Sequence, residues 1–208
     1  MTLPTQSKMM AALYGPVIAP IVYDRCQELG QDFNERVQSY IYDQIWAREG
    51  LALKEKSLVT LVALMVINKA EQLKIHFWGF FHQGGTPEDV RNMLSLMKRK
   101  QYISSIESAM AIFELAMKEY CEMTKTVLKT GASFYLEGAR EEAIIYFASH
   151  IALGDHAKTE LCVRAILKDK LLTAMDLENI MSHEAVYCGF PVEMNGRVVL
   201  RAVLKACQ

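Results

Sequence analysis

The chain has no C-x-x-C pair, few helix breakers and no excess of charge of either sign. Each absence removes a class of function. Five cysteines (Cys26, Cys121, Cys162, Cys188 and Cys207) stand far apart, so neither a zinc ligand set nor a redox dithiol is spelled out. Their expected state is that of reduced, mostly buried thiols. Lys and Arg total 23 against 24 Asp and Glu, which gives no electrostatic footprint for nucleic acid. The longest apolar run, 58–67, is about half of a membrane span and reads as a buried helix. No basic stretch followed by an apolar core opens the chain, so no secretory signal is read, and the expected compartment is the cytoplasm. Metal ligation by His150, His156 and Asp155 lacks an i, i+4 histidine pair or H-x-x-E-H spacing.

What is present is helix. The 208 residues are 51% apolar and 23% charged, as in an ordinary globular protein able to bury a sizeable core. Ala, Leu, Met, Glu and Lys fill periodic stretches, while Gly and Pro sit between them. The expected helices are 6–28, bent near Pro16 and Pro20; 32–48, capped by Asp32; 54–68; 70–83; 87–99; and 102–129. The segment Thr86-Pro87-Glu88-Asp89 is a strong helix start, with Thr as cap, Pro in the first turn and acids against the helix dipole. After Thr130-Gly131 the pattern restarts as 140–153, 156–168, 173–184 and 187–206. The offset between matching segments is 85 to 88 residues. This predicts an all-α bundle of two copies of one helical unit, 1–129 and a diverged 130–208.

Residues 46–90 carry the chemistry. They read W-A-R-E-G-L, then K-E-K-S-L-V-T-L-V-A-L, then E-Q-L-K-I-H, then G-G-T-P-E-D-V. This order resembles the carboxymuconolactone decarboxylase family, whose members include cofactor-free decarboxylases and, resembling alkylhydroperoxidase D, dithiol peroxidases. The Y-C-G-F-P stretch at 187–191 resembles the family's Y-A-G-F-P. In the peroxidase branch one helix face carries C-x-x-C-x-x-x-H. Counting back from His76, the two cysteine positions hold Lys69 and Gln72, and the relay glutamate falls near Ser57. Dithiol peroxide reduction therefore has no residues to run on at this face.

The resemblance implies that His76 exchanges a proton with a small carboxylated lactone or similar acid, without cofactor or metal, since an imidazole titrates near neutrality. Gln72, one turn before His76, would orient the imidazole. Glu71 completes the candidate catalytic group, although it lies about 140° around the helix and also suits an N-terminal charge. Arg48 could clamp a substrate carboxylate through its forked donors or pair with Glu49 or Glu55. Trp46, Tyr187 and Phe190 would line the substrate site. His76 has a plainer reading as a hydrogen-bonded core histidine, and His82 reads as solvent-facing at a helix end. In the second half, Glu160-Leu161-Cys162-Val163-Arg164 stands where E-Q-L-K-I-H stood, placing Val163 or Arg164 at the histidine position.

Two alternatives stay open: a non-catalytic or ligand-binding relative with decayed sites, and a reductase using Cys162 or Cys188 with an external thiol. The family resemblance further implies a homo-oligomer, trimer or hexamer. No membrane or nucleic-acid partner is expected.

Overall fold

The computed structural model describes residues 6–130 and 138–206; Cys207 lies outside them. These residues form ten helices and no strand, an all-α bundle. Helix α1 spans Lys8–Glu28, and Ser7 caps it by accepting from the Met9 and Met10 amides. Proline breaks it as expected, one residue earlier than Pro16, at Gly15 with φ 71° and ψ 177°. Pro16 has no N–H to give the Ala12 carbonyl, and the Gln83 side-chain amide supplies it instead at 2.8 Å. Gly15 sits where only glycine is comfortable, and a Cβ there would lie 2.2 Å from the His82 ring. Gly15→Ala is therefore expected to cost about 1–3 kcal/mol, read as a lower urea midpoint with an unchanged slope.

Helix α2, Gln31–Arg36, runs directly into a π-helical stretch, Val37–Trp46, whose wide turn is closed by the Ala47 amide on the Tyr42 carbonyl. Gly30 rather than Asp32 precedes the helix; Asp32 lies in its first turn and pairs with Arg36 at the surface. Short π segments recur at functional sites, and this one delivers Tyr42 and Trp46 into the core. The remaining helices are α3 Leu53–Val66, α4 Ala70–His82, α5 Pro87–Arg99, α6 Ile106–Thr124, α7 Ala139–Leu153, α8 His156–Lys168, α9 Ala174–Cys188 and α10 Phe190–Ala206.

Helix α3 is the hub. It packs on α4, α7 and α9, and its residues from Glu55 to Met65 are all buried. That is why its sequence is apolar all round rather than striped. Each large side chain buried there contributes about 1.5–3 kcal/mol of transfer free energy. A single core runs through both halves, from Leu58 and Phe77 through Phe113 to Ile145, Ile180 and Leu200.

Two expected starts move. Helix α6 begins at Ile106 because Ser105 accepts the Ser108 amide, leaving Tyr102 in the preceding turn. Helix α10 begins at Phe190 because Gly189, at φ 88°, breaks the chain after Cys188, so Tyr187 ends α9. The capping device at Thr86–Asp89 is present as expected and recurs at Thr173–Asp176.

Candidate functional site

The entry of α3 anchors the site. The ammonium of Lys56, almost fully buried, donates to the Trp46 carbonyl at 2.7 Å and to the Arg48 carbonyl. It thereby closes the C-terminal end of the π-helical stretch, where the carbonyls point without partners and favour a cation. Burial, then the nearby Arg48 charge, pulls its pKa below the usual lysine range. Lys56→Met would leave those carbonyls unpaired, and a loss of about 2–3 kcal/mol is expected. A weakened near-ultraviolet signal from Trp46 would accompany it in circular dichroism.

Trp46, held in this way, forms the wall on which two histidines rest. The His76 ring stacks parallel to it, with centroids 5.9 Å apart and planes within 1°. His183 meets it edge-on at 4.6 Å. Trp46 Nε1 donates to the Tyr187 hydroxyl at 3.0 Å, and Tyr187 meets His76 edge-on at 5.2 Å. From α1, the Tyr14 hydroxyl reaches His76 Nδ1 at 3.2 Å, with Tyr42 behind it. Thr60 Oγ1 bonds His183 Nε2 at 2.8 Å.

This cluster borders a cavity of about 270 Å³ whose lining includes Tyr14, Arg25, Cys26, Tyr42, Gln72, His76 and Tyr187. Burial lowers the His76 pKa to about 3. Burial, followed by the Lys56 and His76 charges, also pulls His183 well down. Both imidazoles are thus neutral near pH 7. Tyr14 is pushed up by burial and by its tyrosine neighbours, so it stays a phenol. The Cys26 thiol is likewise pushed up by burial, which leaves it a poor nucleophile.

His76, Gln72 and Tyr187 come together at the cavity, and Trp46 stands directly behind. Among the described residues the hydrogen bond to the imidazole comes from Tyr14 and not from Gln72. Glu71 is outside the cavity lining, exposed, with its carboxylate 3.9 Å from Lys74. Arg48 is exposed and outside the lining too. Its expected partner Glu55 instead takes Arg140 at 2.7 Å. Arg25 is the cation at the cavity, its guanidinium 5.5 Å above the Trp78 ring. Phe190 lies on a different surface, 65% exposed beside Met194 and Val198 on α10. His82 is exposed at the end of α4, as expected. Among the described residues no cluster of three or more His, Cys, Asp or Glu could hold a metal ion. No described helix is long and apolar enough to cross a membrane.

Residues 31–115 match the model of the Carboxymuconolactone decarboxylase family. Over this stretch, which is less than half of the chain, the sequence is similar to that family. Ninety-six residues are similar, at 22% identity, to the 4-carboxymuconolactone decarboxylase of Acinetobacter baylyi, covering 46% of this chain and 72% of that protein. The matched stretch contains Trp46, Gln72 and His76. The matched stretch does not contain Tyr14, Arg25, His183 or Tyr187, so much of the cavity is built by chain outside it.

Proposed function

We propose that the protein is a cofactor-free decarboxylase acting on a small carboxylated lactone or a close analogue, with His76 at the reacting atoms. The observation that carries this reading is the His76 imidazole at a cavity wall, fixed by Tyr14 on one side and Trp46 on the other. With the Tyr14 hydroxyl donating to Nδ1, the proton of the neutral ring sits on Nε2. Loss of CO2 leaves an electron pair that a lactone carbonyl can accept as an enolate. A fixed N–H donor that does not need to reorganise stabilises that developing charge. The carbon then takes a proton drawn from solvent, for which the Tyr14–His76 pair offers a relay. Arg25 at the rim suits the substrate's carboxylate, and Gln72 adds an amide to its orientation.

In this proposal residues 1–129 and 130–208 remain two copies of one helical unit, with α3–α6 corresponding to α7–α10. The exposed Phe190, Met194 and Val198 of α10 support a homo-oligomer, which light scattering would check. The test of function is CO2 release from carboxymuconolactone by the purified chain. A second reading, a binding protein without turnover, is favoured by one observation: an imidazole with a pKa of about 3 is a weak base at neutral pH. Saturable binding of the lactone with no CO2 release would establish it instead.

A further inference from the structure

The chain has a second cavity, unconnected with His76, of about 480 Å³ between α7 and α8. Tyr102, His150 and Cys162 line it, with Lys100 and Lys158 also on its wall. Tyr102 hydroxyl and His150 Nε2 are 3.1 Å apart, and their rings meet edge-on at 5.0 Å. His150 is 9% exposed, and its Nδ1 is buried with no hydrogen-bond partner among the described residues. His150 is thus held at Nε2 by Tyr102 and closed off from solvent at Nδ1, a fixed part of the cavity wall.

The placement repeats that of the first site. Cys162 is the seventh residue of the 13-residue α8, as His76 is the seventh of the 13-residue α4. Tyr102 stands just before α6, as Tyr187 stands just before α10. Counted from the helix starts, Cys162 and not Val163 or Arg164 takes the histidine's place. Its thiol is pushed up to about 12 by burial, so it offers packing rather than nucleophilic attack.

We propose that this cavity is a second ligand site, for a small flat aromatic or unsaturated monocarboxylate. Leu161, Ala165 and Ile166 supply an apolar floor, and the Tyr102 and Tyr146 rings, 6.3 Å apart, make one side of a slot. The charged lining residues are Lys100, Lys158 and Glu142, a net single positive charge. Glu142 is engaged by the Tyr146 hydroxyl at 3.4 Å, and Lys158 is shared with Asp155 at 3.2 Å. Lys100, 5.0 Å above the Tyr146 ring, is the cation best placed to meet the carboxylate. The Tyr102 hydroxyl, fixed by His150, is the polar group available to a ring substituent.

Benzoate is the probe, and methyl NMR of isoleucine-labelled full chain is the readout. Ile166 reports on this cavity, while Ile41 and Ile75 report on the His76 cavity. A saturable shift of the Ile166 methyl is expected. It should weaken by about tenfold at low salt in Lys100→Glu/Lys158→Glu, whose changes lie at exposed positions and spare the fold. Benzamide, without the charge, should shift Ile166 only at much higher concentration. The site is overturned if benzoate leaves Ile166 unmoved, or if the double variant or benzamide behaves like wild type with benzoate. Because Ile41 and Ile75 are read in the same spectra, failure here is separate from failure of the His76 reading.

Discussion

His76→Leu is expected to lower kcat on carboxymuconolactone by about 10²–10⁴-fold, with a smaller change in KM and an unchanged helical circular dichroism spectrum. The leucine keeps the apolar contact with Trp46 but removes the N–H that would stabilise the enolate. Tyr14→Phe removes only the group fixing the imidazole's proton on Nε2 and should cost about tenfold. The pH profile separates this mechanism from ordinary histidine catalysis. A histidine at its ordinary pKa of 6.5 would bring activity down below neutrality. Here burial holds His76 neutral to about 3, so kcat should stay level between pH 5 and 8. A limb near pH 6.5 that disappears in His76→Gln would show the ring titrating in solvent and defeat the proposed role.

The fold was readable because its signals are local. Apolar periodicity and the Thr86-Pro87 start each act within a few residues of themselves, and the helices lie where they indicate apart from the later starts at Ile106 and Phe190. The π-helical stretch was not readable: Val37–Trp46 has an ordinary amphipathic pattern, and the group that closes its end, the Lys56 ammonium on the Trp46 carbonyl, comes from the next helix. His76 and Gln72 were found through a short motif on one helix. Tyr14, Arg25 and Tyr42 were missed because they reach the cavity from α1 and the π-helical stretch, 30 or more residues from His76 in sequence. Their approach depends on the close packing of α1 on Gly79, where a Cβ would stand 3.0 Å from the Tyr14 ring. His183 did carry a usable sign, since it lies one helical turn before Tyr187 and shares its face. Arg48 and Phe190 were drawn in by their motifs alone, yet sequence adjacency to a motif does not decide which way a side chain points.

Unfolding free energy should peak near pH 6.5 and fall on both sides. On the acid side, burial lowers the pKa values of His76, His150 and His183. Below their ordinary value of 6.5 the unfolded chain takes up protons that the folded chain refuses, so stability falls as pH falls toward the folded values. On the alkaline side the controlling group is Glu184. It is fully buried, both carboxylate oxygens lack a hydrogen-bond partner among the described residues, and burial raises its pKa well above 4.5. Above 4.5 the unfolded chain releases this proton while the folded chain keeps it, so stability drains away with rising pH until the folded value is passed. Each such group sets a slope of at most about 1.4 kcal/mol per pH unit. Below 6.5 the histidines outnumber Glu184; above it Glu184 acts without them. Glu184→Gln should flatten the alkaline limb alone, its advantage over wild type growing as pH rises by at most about 1.4 kcal/mol per pH unit. Glu184→Met removes both unpaired oxygens at similar volume, and should add about 1–3 kcal/mol at pH 5 and lose the alkaline limb as Glu184→Gln does. Urea titrations from pH 5 to 8 measure all three proteins, and an alkaline limb that survives in Glu184→Gln would show that the buried acid is already ionised.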